Sequence, residues 1–179
     1  IEARLYSKPL TDSLGEAWRA YGRVSRASGE IGRNQPDSSN VSRLLAGAGV
    51  DYRVRDWSAE AELNRAFHHA ERQGVAVQVT HDFSDYWRAS FKADTNVNDL
   101  SARAFDADIH ARRLSAAVAW RANESRRVDG ELSTTQFSDS NRRDAAGIAW
   151  TERWISGPVF KLDGITSLAA SRNSLDNAV

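Results

Sequence analysis

Alternation constrains this chain more than any other feature. Gly49-Val-Asp-Tyr-Arg-Val-Arg-Asp56, Gly74-Val-Ala-Val-Gln-Val-Thr-His-Asp82, Leu114-Ser-Ala-Ala-Val-Ala-Trp-Arg121 and Asp144-Ala-Ala-Gly-Ile-Ala-Trp-Thr-Glu-Arg-Trp154 each switch between apolar and polar residues at nearly every step. A period of two gives an extended strand one apolar face and one polar face. Ten stretches fit, near residues 1–7, 17–26, 42–54, 57–67, 74–82, 87–94, 114–122, 128–137, 144–154 and 159–169. Short connections are expected at Arg55–Trp57, Phe83–Tyr86, Asn123–Arg127 and Ile155–Pro158. Long ones are expected at Ala27–Val41, His68–Gln73, Thr95–Arg113 and Ser138–Arg143. A barrel inserted from one side has this short–long rhythm, with short turns on one side and longer loops on the other. The expected fold is all-β: an antiparallel, transmembrane, up-and-down β-barrel.

Composition narrows the function classes. The formal net charge is zero, which removes the electrostatic case for binding nucleic acid. Mean hydropathy is −0.56, and no run approaches the ~20 apolar residues of a membrane helix. A barrel strand turns only every second residue to lipid, so low mean hydropathy is compatible with a membrane. With no cysteine, disulfides, zinc thiolates and cysteine nucleophiles are excluded. The chain begins at Ile1 without a leader segment and ends in a polar stretch at Ala178-Val179. Both ends read as cut, so residues 1–179 are expected to be part of a longer protein.

Parity assigns the faces. Leu44, Ala46, Ala48, Val50, Tyr52 and Val54 fall on one side, with Arg43, Asp51, Arg53 and Arg55 on the other. Trp57, Ala59, Ala61 and Leu63 oppose Glu60, Glu62 and Asn64. Val75, Val77 and Val79 oppose Gln78, Thr80 and Asp82, and Trp87, Ala89, Phe91 and Ala93 oppose Arg88, Ser90, Lys92 and Asp94. An Arg or Lys facing lipid near the midplane costs about 2–4 kcal/mol, so the charged face is the inner one. Its acids, Asp51, Glu60, Glu62, Asp82, Asp94, Asp129 and Glu131, are the pore-lining candidates. Interleaved with them are Arg53, Arg55, Arg88, Lys92 and Arg121. Two readings stand side by side: a field that guides a polar solute, or cross-strand ion pairs such as Arg53 or Arg55 with Glu60 or Glu62. Trp57, Phe83, Tyr86, Trp87, Trp154 and Phe160 sit beside short turns, where aromatic girdles meet the membrane interface.

Two segments are ambiguous. Ser58–Gly74 also carries a helical stripe of Ala59, Leu63, Ala66, Phe67 and Ala70, with a cap at either end. The flanking alternation favours a strand for 58–67. Ser101–Trp120 is rich in alanine, and a loop with some helix is expected over 95–113. His68 and His69 are adjacent and His81 and His110 are isolated, so no metal or cofactor site is indicated. Ser138-Asp-Ser-Asn141 reads as a turn rather than a catalytic serine, since no histidine supports it. The pairs Arg112-Arg113, Arg126-Arg127 and Arg142-Arg143 read as solvated rims or contacts to anionic lipid headgroups.

Several stretches together resemble a known family. They are Gln136-Phe-Ser-Asp-Ser-Asn-Arg-Arg143 followed by Trp150-Thr-Glu-Arg-Trp-Ile-Ser-Gly-Pro158, with Tyr52-Arg-Val-Arg-Asp-Trp-Ser-Ala-Glu-Ala-Glu62, His81-Asp-Phe-Ser-Asp-Tyr-Trp-Arg88 and Asn123-Glu-Ser-Arg-Arg127. Taken in their order along the chain they resemble the outer-membrane porins that export the biofilm polysaccharide poly-N-acetylglucosamine. Phe137-Ser-Asp-Ser-Asn141 is the most specific piece, because alternation alone would not generate it. The resemblance implies a periplasmic tetratricopeptide-repeat region followed by a barrel of roughly sixteen strands. This chain would then be about the first ten strands, with the repeat region and the closing strands outside it. The resemblance also implies a passive pore with no enzymatic step. Its partners would be partly deacetylated, hence cationic, poly-N-acetylglucosamine, outer-membrane lipids, and a periplasmic deacetylase recruited through the repeat region. The seven inward acids would then hold successive ammonium groups weakly. The alternatives are an outer-membrane barrel enzyme of lipase or protease type and a soluble antiparallel β domain.

Overall fold

The computed structural model describes residues 1–11, 16–31, 39–68, 70–97, 104, 106–156 and 161–174. They form one antiparallel sheet. Its strands are β1 (Glu2–Tyr6), β2 (Leu10–Thr11), β3 (Ala17–Ile31), β4 (Ser39–Val54), β5 (Trp57–His68), β6 (Ala70–Asp82), β7 (Trp87–Asp94), β8 (Ala111–Asn123), β9 (Arg126–Phe137), β10 (Arg142–Ser156) and β11 (Lys161–Ser174). From β3 onward each strand pairs with the next, while β1 and the two-residue β2 both pair with β3. Each of the ten expected strands is present, and β2 was not foreseen. The helical alternative for 58–74 is refuted, because Trp57–His68 pairs along its length with β4 and β6. Helix in the β7–β8 connection is limited, among the described residues, to Ala104 and Asp106.

The connections depart from the expected rhythm in two places. β5 ends at His68 and β6 begins at Ala70, so the long connection expected at 68–73 is largely strand. The β9–β10 turn spans 138–141, no longer than the turn at 83–86. Pairing runs past the amphipathic stretch in both hairpins, because an antiparallel ladder keeps satisfying backbone groups after side-chain alternation fades. Turn chemistry is local. Arg55 takes φ 47° in the two-residue turn Arg55–Asp56, as tight hairpins require, and Ser140 takes φ 70° in the 138–141 turn. The Ser84 hydroxyl accepts from the Tyr86 and Trp87 amides at 3.2 Å each. Asp139 accepts from the Asn141 amide at 3.1 Å, so Ser138–Asn141 is a turn, as expected.

The sheet has an inverted interior. Its apolar face is open: Leu63 is 70% exposed, Leu132 64% and Leu168 73%. The buried residues lie on the polar face, where Arg43, Glu62, Asn64 and Thr135 are packed away with Tyr21, Leu45 and Ala66. A soluble sheet buries its apolar side, so this inversion suits a sheet with lipid on one side and a polar lumen on the other.

Candidate functional site

Register places all seven candidate acids on the polar face. Asp51 stands opposite Glu60, and Glu60 opposite Gln78. Glu62 lies between Gly49 and Ala76. Asp82 stands opposite Arg88, and Asp94 opposite Arg113. Asp129 is flanked by Ala119 and Ala149, and Glu131 by Ala117 and Gly147.

The densest part of this face spans β1 to β6. The Tyr21 hydroxyl donates to Glu60 Oε1 at 2.6 Å and lies 3.1 Å from Glu62 Oε2. Arg4 donates to Glu60 at 3.0 Å, and Arg23 donates to Glu62 Oε1. These contacts reach from β1 and β3 across β4, because β4 carries glycine where a side chain would block them. A Cβ on Gly47 would fall 2.8 Å from the Glu62 carboxyl, and one on Gly49 would fall 2.7 Å from the Tyr21 ring. Farther along, the side-chain amides of Asn64 and Asn96 meet at 2.7 Å in the space left by Gly74. Asn96 follows β7, so this contact ties the start of the β7–β8 connection to the polar face. Arg72 of β6 pairs with Asp108 at 3.0 Å and ties down its end.

Other acids are paired more locally. Arg19 donates to Asp51 at 2.6 Å, Arg88 and Asp82 form a two-point pair, and Arg127 bonds Asp129 at 2.8 Å. The Asp94 carboxylate accepts the Asn96 amide at 2.8 Å. The anticipated partners of Glu60 and Glu62 are corrected: Arg4 and Arg23 hold them, not Arg53 or Arg55. Sequence spacing favoured the adjacent hairpin, whereas the glycines of β4 open a longer reach. Among the described residues, basic side chains on the polar face outnumber acidic ones.

On the apolar face, Trp57 stacks on His81 with centroids 4.1 Å apart, and Phe83 packs edge-on to His81 at 4.4 Å. Trp87 lies 6.1 Å from Trp120. Tyr86 is 57% exposed in its turn, and the Trp154 ring covers Gly164. Phe160 lies outside the described residues. Trp18 and Tyr52, 4.2 Å apart, belong to the same end of this face, as do Trp120 and Trp150. The sequence reading left these four out of the girdle, although parity had already put Tyr52 on this face and would have put the other three there, because only aromatics adjoining short turns were collected.

Comparison with known proteins adds the family. A family model described as the PgaA membrane beta barrel domain matches residues 1–179. Poly-beta-1,6-N-acetyl-D-glucosamine export proteins from Escherichia coli strain K12 and from E. coli O157:H7 are each 30% identical over 171 residues. That alignment covers 95% of this chain and 20% of each relative, so the chain spans about a fifth of their length. A solved bacterial polysaccharide outer membrane secretin superposes with a TM-score of 0.80 at 26% identity, covering 98% of this chain and 56% of that one.

Proposed function

The chain belongs to the PgaA membrane beta barrel domain family, and on that premise we propose that it is part of the wall of an outer-membrane conduit for poly-β-1,6-N-acetylglucosamine. The observation that carries this reading is the pairing of an exposed apolar face with a continuous polar one across β3 to β11. The polymer would pass along the polar face without a chemical step. Its hydroxyls and acetamido groups suit the amides, hydroxyls and arginines there. Its free amines suit the carboxylates, weakly enough to move from one to the next.

Arginine partners reduce the field of Asp51, Glu60, Glu62, Asp82 and Asp129. Glu131, exposed between Ala117 and Gly147, is the acid best placed to meet a passing ammonium group. Lipid would cover the apolar face. A periplasmic deacetylase would act upstream, through a tetratricopeptide-repeat region preceding a barrel of about sixteen strands.

The test is planar-bilayer conductance of the intact protein with poly-N-acetylglucosamine oligomers of known deacetylation. Block by partly deacetylated oligomers, and less by fully acetylated ones, is expected. Open channels indifferent to both would retain the barrel and remove the substrate. A protein that makes no channels and stays in the aqueous phase with liposomes would overturn the conduit itself.

A further inference from the structure

The apolar face carries a ruler. Trp18 and Arg26 on β3 are eight residues apart, as are Trp57 and Arg65 on β5, Arg112 and Trp120 on β8, and Arg142 and Trp150 on β10. On β11, Arg172 lies eight residues from Gly164, the position that the Trp154 ring covers. An even spacing keeps both residues of each pair on one face, and register confirms that this is the apolar one. Arg26 lies opposite Leu44, Arg65 opposite Ala46, Arg112 opposite Gln136, and Gln136 opposite Arg142.

The two bands also move together. From β3 to β5 both aromatic and arginine shift by two residues relative to the hydrogen-bonded register, and from β5 to β8 the aromatic shifts by two more. From β10 to β11 the same shift recurs. Strands tilted in a barrel need this stagger to hold two bands level with a membrane. Eight residues span about 26 Å along a strand. At the usual tilt that is roughly 20 Å of height, close to the apolar band of an outer-membrane barrel.

The two ends of the ruler differ in chemistry. At the short-turn end the apolar face carries indole rings, and its Arg126 is neutralised by Glu152 at 2.8 Å. At the opposite end, which holds the long β3–β4 and β7–β8 connections, it carries Arg26, Arg65, Arg112, Arg142 and Arg172, all exposed. Asp144 is interleaved with them, bonded to Arg142 at 2.9 Å. A cavity of about 970 Å³ at this rim is lined by both Arg65 and Arg112, although they come from strands three apart in the sheet.

We propose that these five arginines form a collar that binds the phosphate groups of the glycolipid in the external leaflet. A guanidinium presents paired donors matching two phosphate oxygens, and it keeps its charge at any physiological pH. The collar is spread over β3, β5, β8, β10 and β11 rather than gathered in a patch. That distribution suits lipid, which surrounds a barrel, over a single protein partner. The collar would fix the height of the barrel and seal its outer rim. This inference rests on the barrel reading and not on the nature of the transported polymer.

The experiment uses the intact protein in mixed micelles, with bis-phosphorylated lipid A and its phosphate-free counterpart as probes and native mass spectrometry as the readout. A preference of about tenfold or more for the phosphorylated lipid is expected, since each arginine near an anionic surface contributes measurably. The combined variant R26Q/R65Q/R112Q/R142Q/R172Q is expected to lose that preference. The corresponding lysine variant should keep part of it, and R126Q, at the other end, all of it. If the glutamine variant does not assemble, the wild-type preference and the single variants R26Q and R112Q carry the test.

Equal retention of both lipids, or full preference in a folded glutamine variant, would overturn the collar. Displacement by equimolar inorganic phosphate would overturn a lipid source. Saturable binding of a protein in place of the lipid would overturn it as well. Heat-modifiable migration and liposome insertion, measured in parallel, separate failure of the collar from failure of the barrel.

Discussion

Between β3 and β6 the polar face is filled. Tyr21, Glu60, Glu62 and Asn64 lock together over Gly47, Gly49 and Gly74, and Glu62 and Asn64 are 3% and 5% exposed. Between β8 and β10 the same face is thin. Its register partners are Ala117, Ala119, Ser133, Ala145, Gly147 and Ala149, and the charges among them pair over short range, as Arg127 does with Asp129. The two walls share one alternation and one register pattern, yet one is closed by side-chain bonds that cross a strand and the other by bonds within a strand or between neighbours, such as Arg113 to the buried Thr135 at 3.2 Å. Side-chain volume makes the difference. Where glycine alternates with large polar residues the bonds reach across a strand, and where alanine, serine and glycine follow one another they stop at the neighbouring strand, as from Arg113 to Thr135. The first wall is therefore cross-linked over two strands, and the second carries the smaller side chains.

Glu62→Ala should break this contrast most sharply. It removes a buried side chain, 2% exposed, whose carboxylate holds Arg23, leaves Arg23 to the exposed Glu2 at 3.6 Å, and is expected to cost about 3 kcal/mol. Urea unfolding of the intact protein in detergent measures it. Glu131→Ala, on the thin wall, should move stability by less than about 0.5 kcal/mol and instead reduce cation selectivity in bilayers.

Glycine substitutions sharpen the comparison at the next level. In Gly49→Ala the new methyl would fall 2.5 Å from the Ala61 carbonyl oxygen and 2.7 Å from the Tyr21 ring. Such overpacking is expected to cost about 1–3 kcal/mol. In Gly147→Ala the nearest atom is 3.8 Å away, and the same unfolding measurement should show almost no change. Equal costs at the two sites would mean that the walls are filled alike. Tyr21→Phe removes the hydroxyl from both carboxylates and should cost about 1 kcal/mol, with little change in conductance.

The smallest effect is in pH. His110 precedes β8, outside the strands. Burial, followed by the nearby Arg72 and Arg43 guanidinium groups, lowers its pKa below the ordinary 6.5, with Arg112 adding to the effect and Asp108 opposing it. A lowered folded-state value favours neutral imidazole in the folded state. Its contribution is therefore complete above 6.5 and is lost as the pH falls below that value. Protection of the amides of residues 106–111, relative to their intrinsic exchange, should fall as the pH drops from about 7.5 to about 5.5, and His110→Gln should remove that change.

The faces were legible because parity is a local property. Once Leu63 points outward, Glu62 and Asn64 point inward, whatever the strand pairs with. All seven candidate acids fall on the polar face for that reason. The partners of Glu60 and Glu62 were not legible. They come from β1 and β3, two strands or more away, and the reach depends on which glycines the register sets beneath them. The β5–β6 connection was misread for a related reason. Alternation fades near Phe67 while backbone pairing continues to His68 and Ala70, and pairing leaves no mark in composition.

By itself the sequence determined an antiparallel sheet with one apolar and one charged side, because a period of two needs no tertiary information. Its motifs also carried the likeness to the export family. Tertiary structure alone decided which charges neutralise one another, which wall is cross-linked over two strands and which is not, and at what height the tryptophans and arginines of separate strands align. Each of these depends on the stagger between strands. That stagger comes from the register of the whole sheet, and no single strand encodes it.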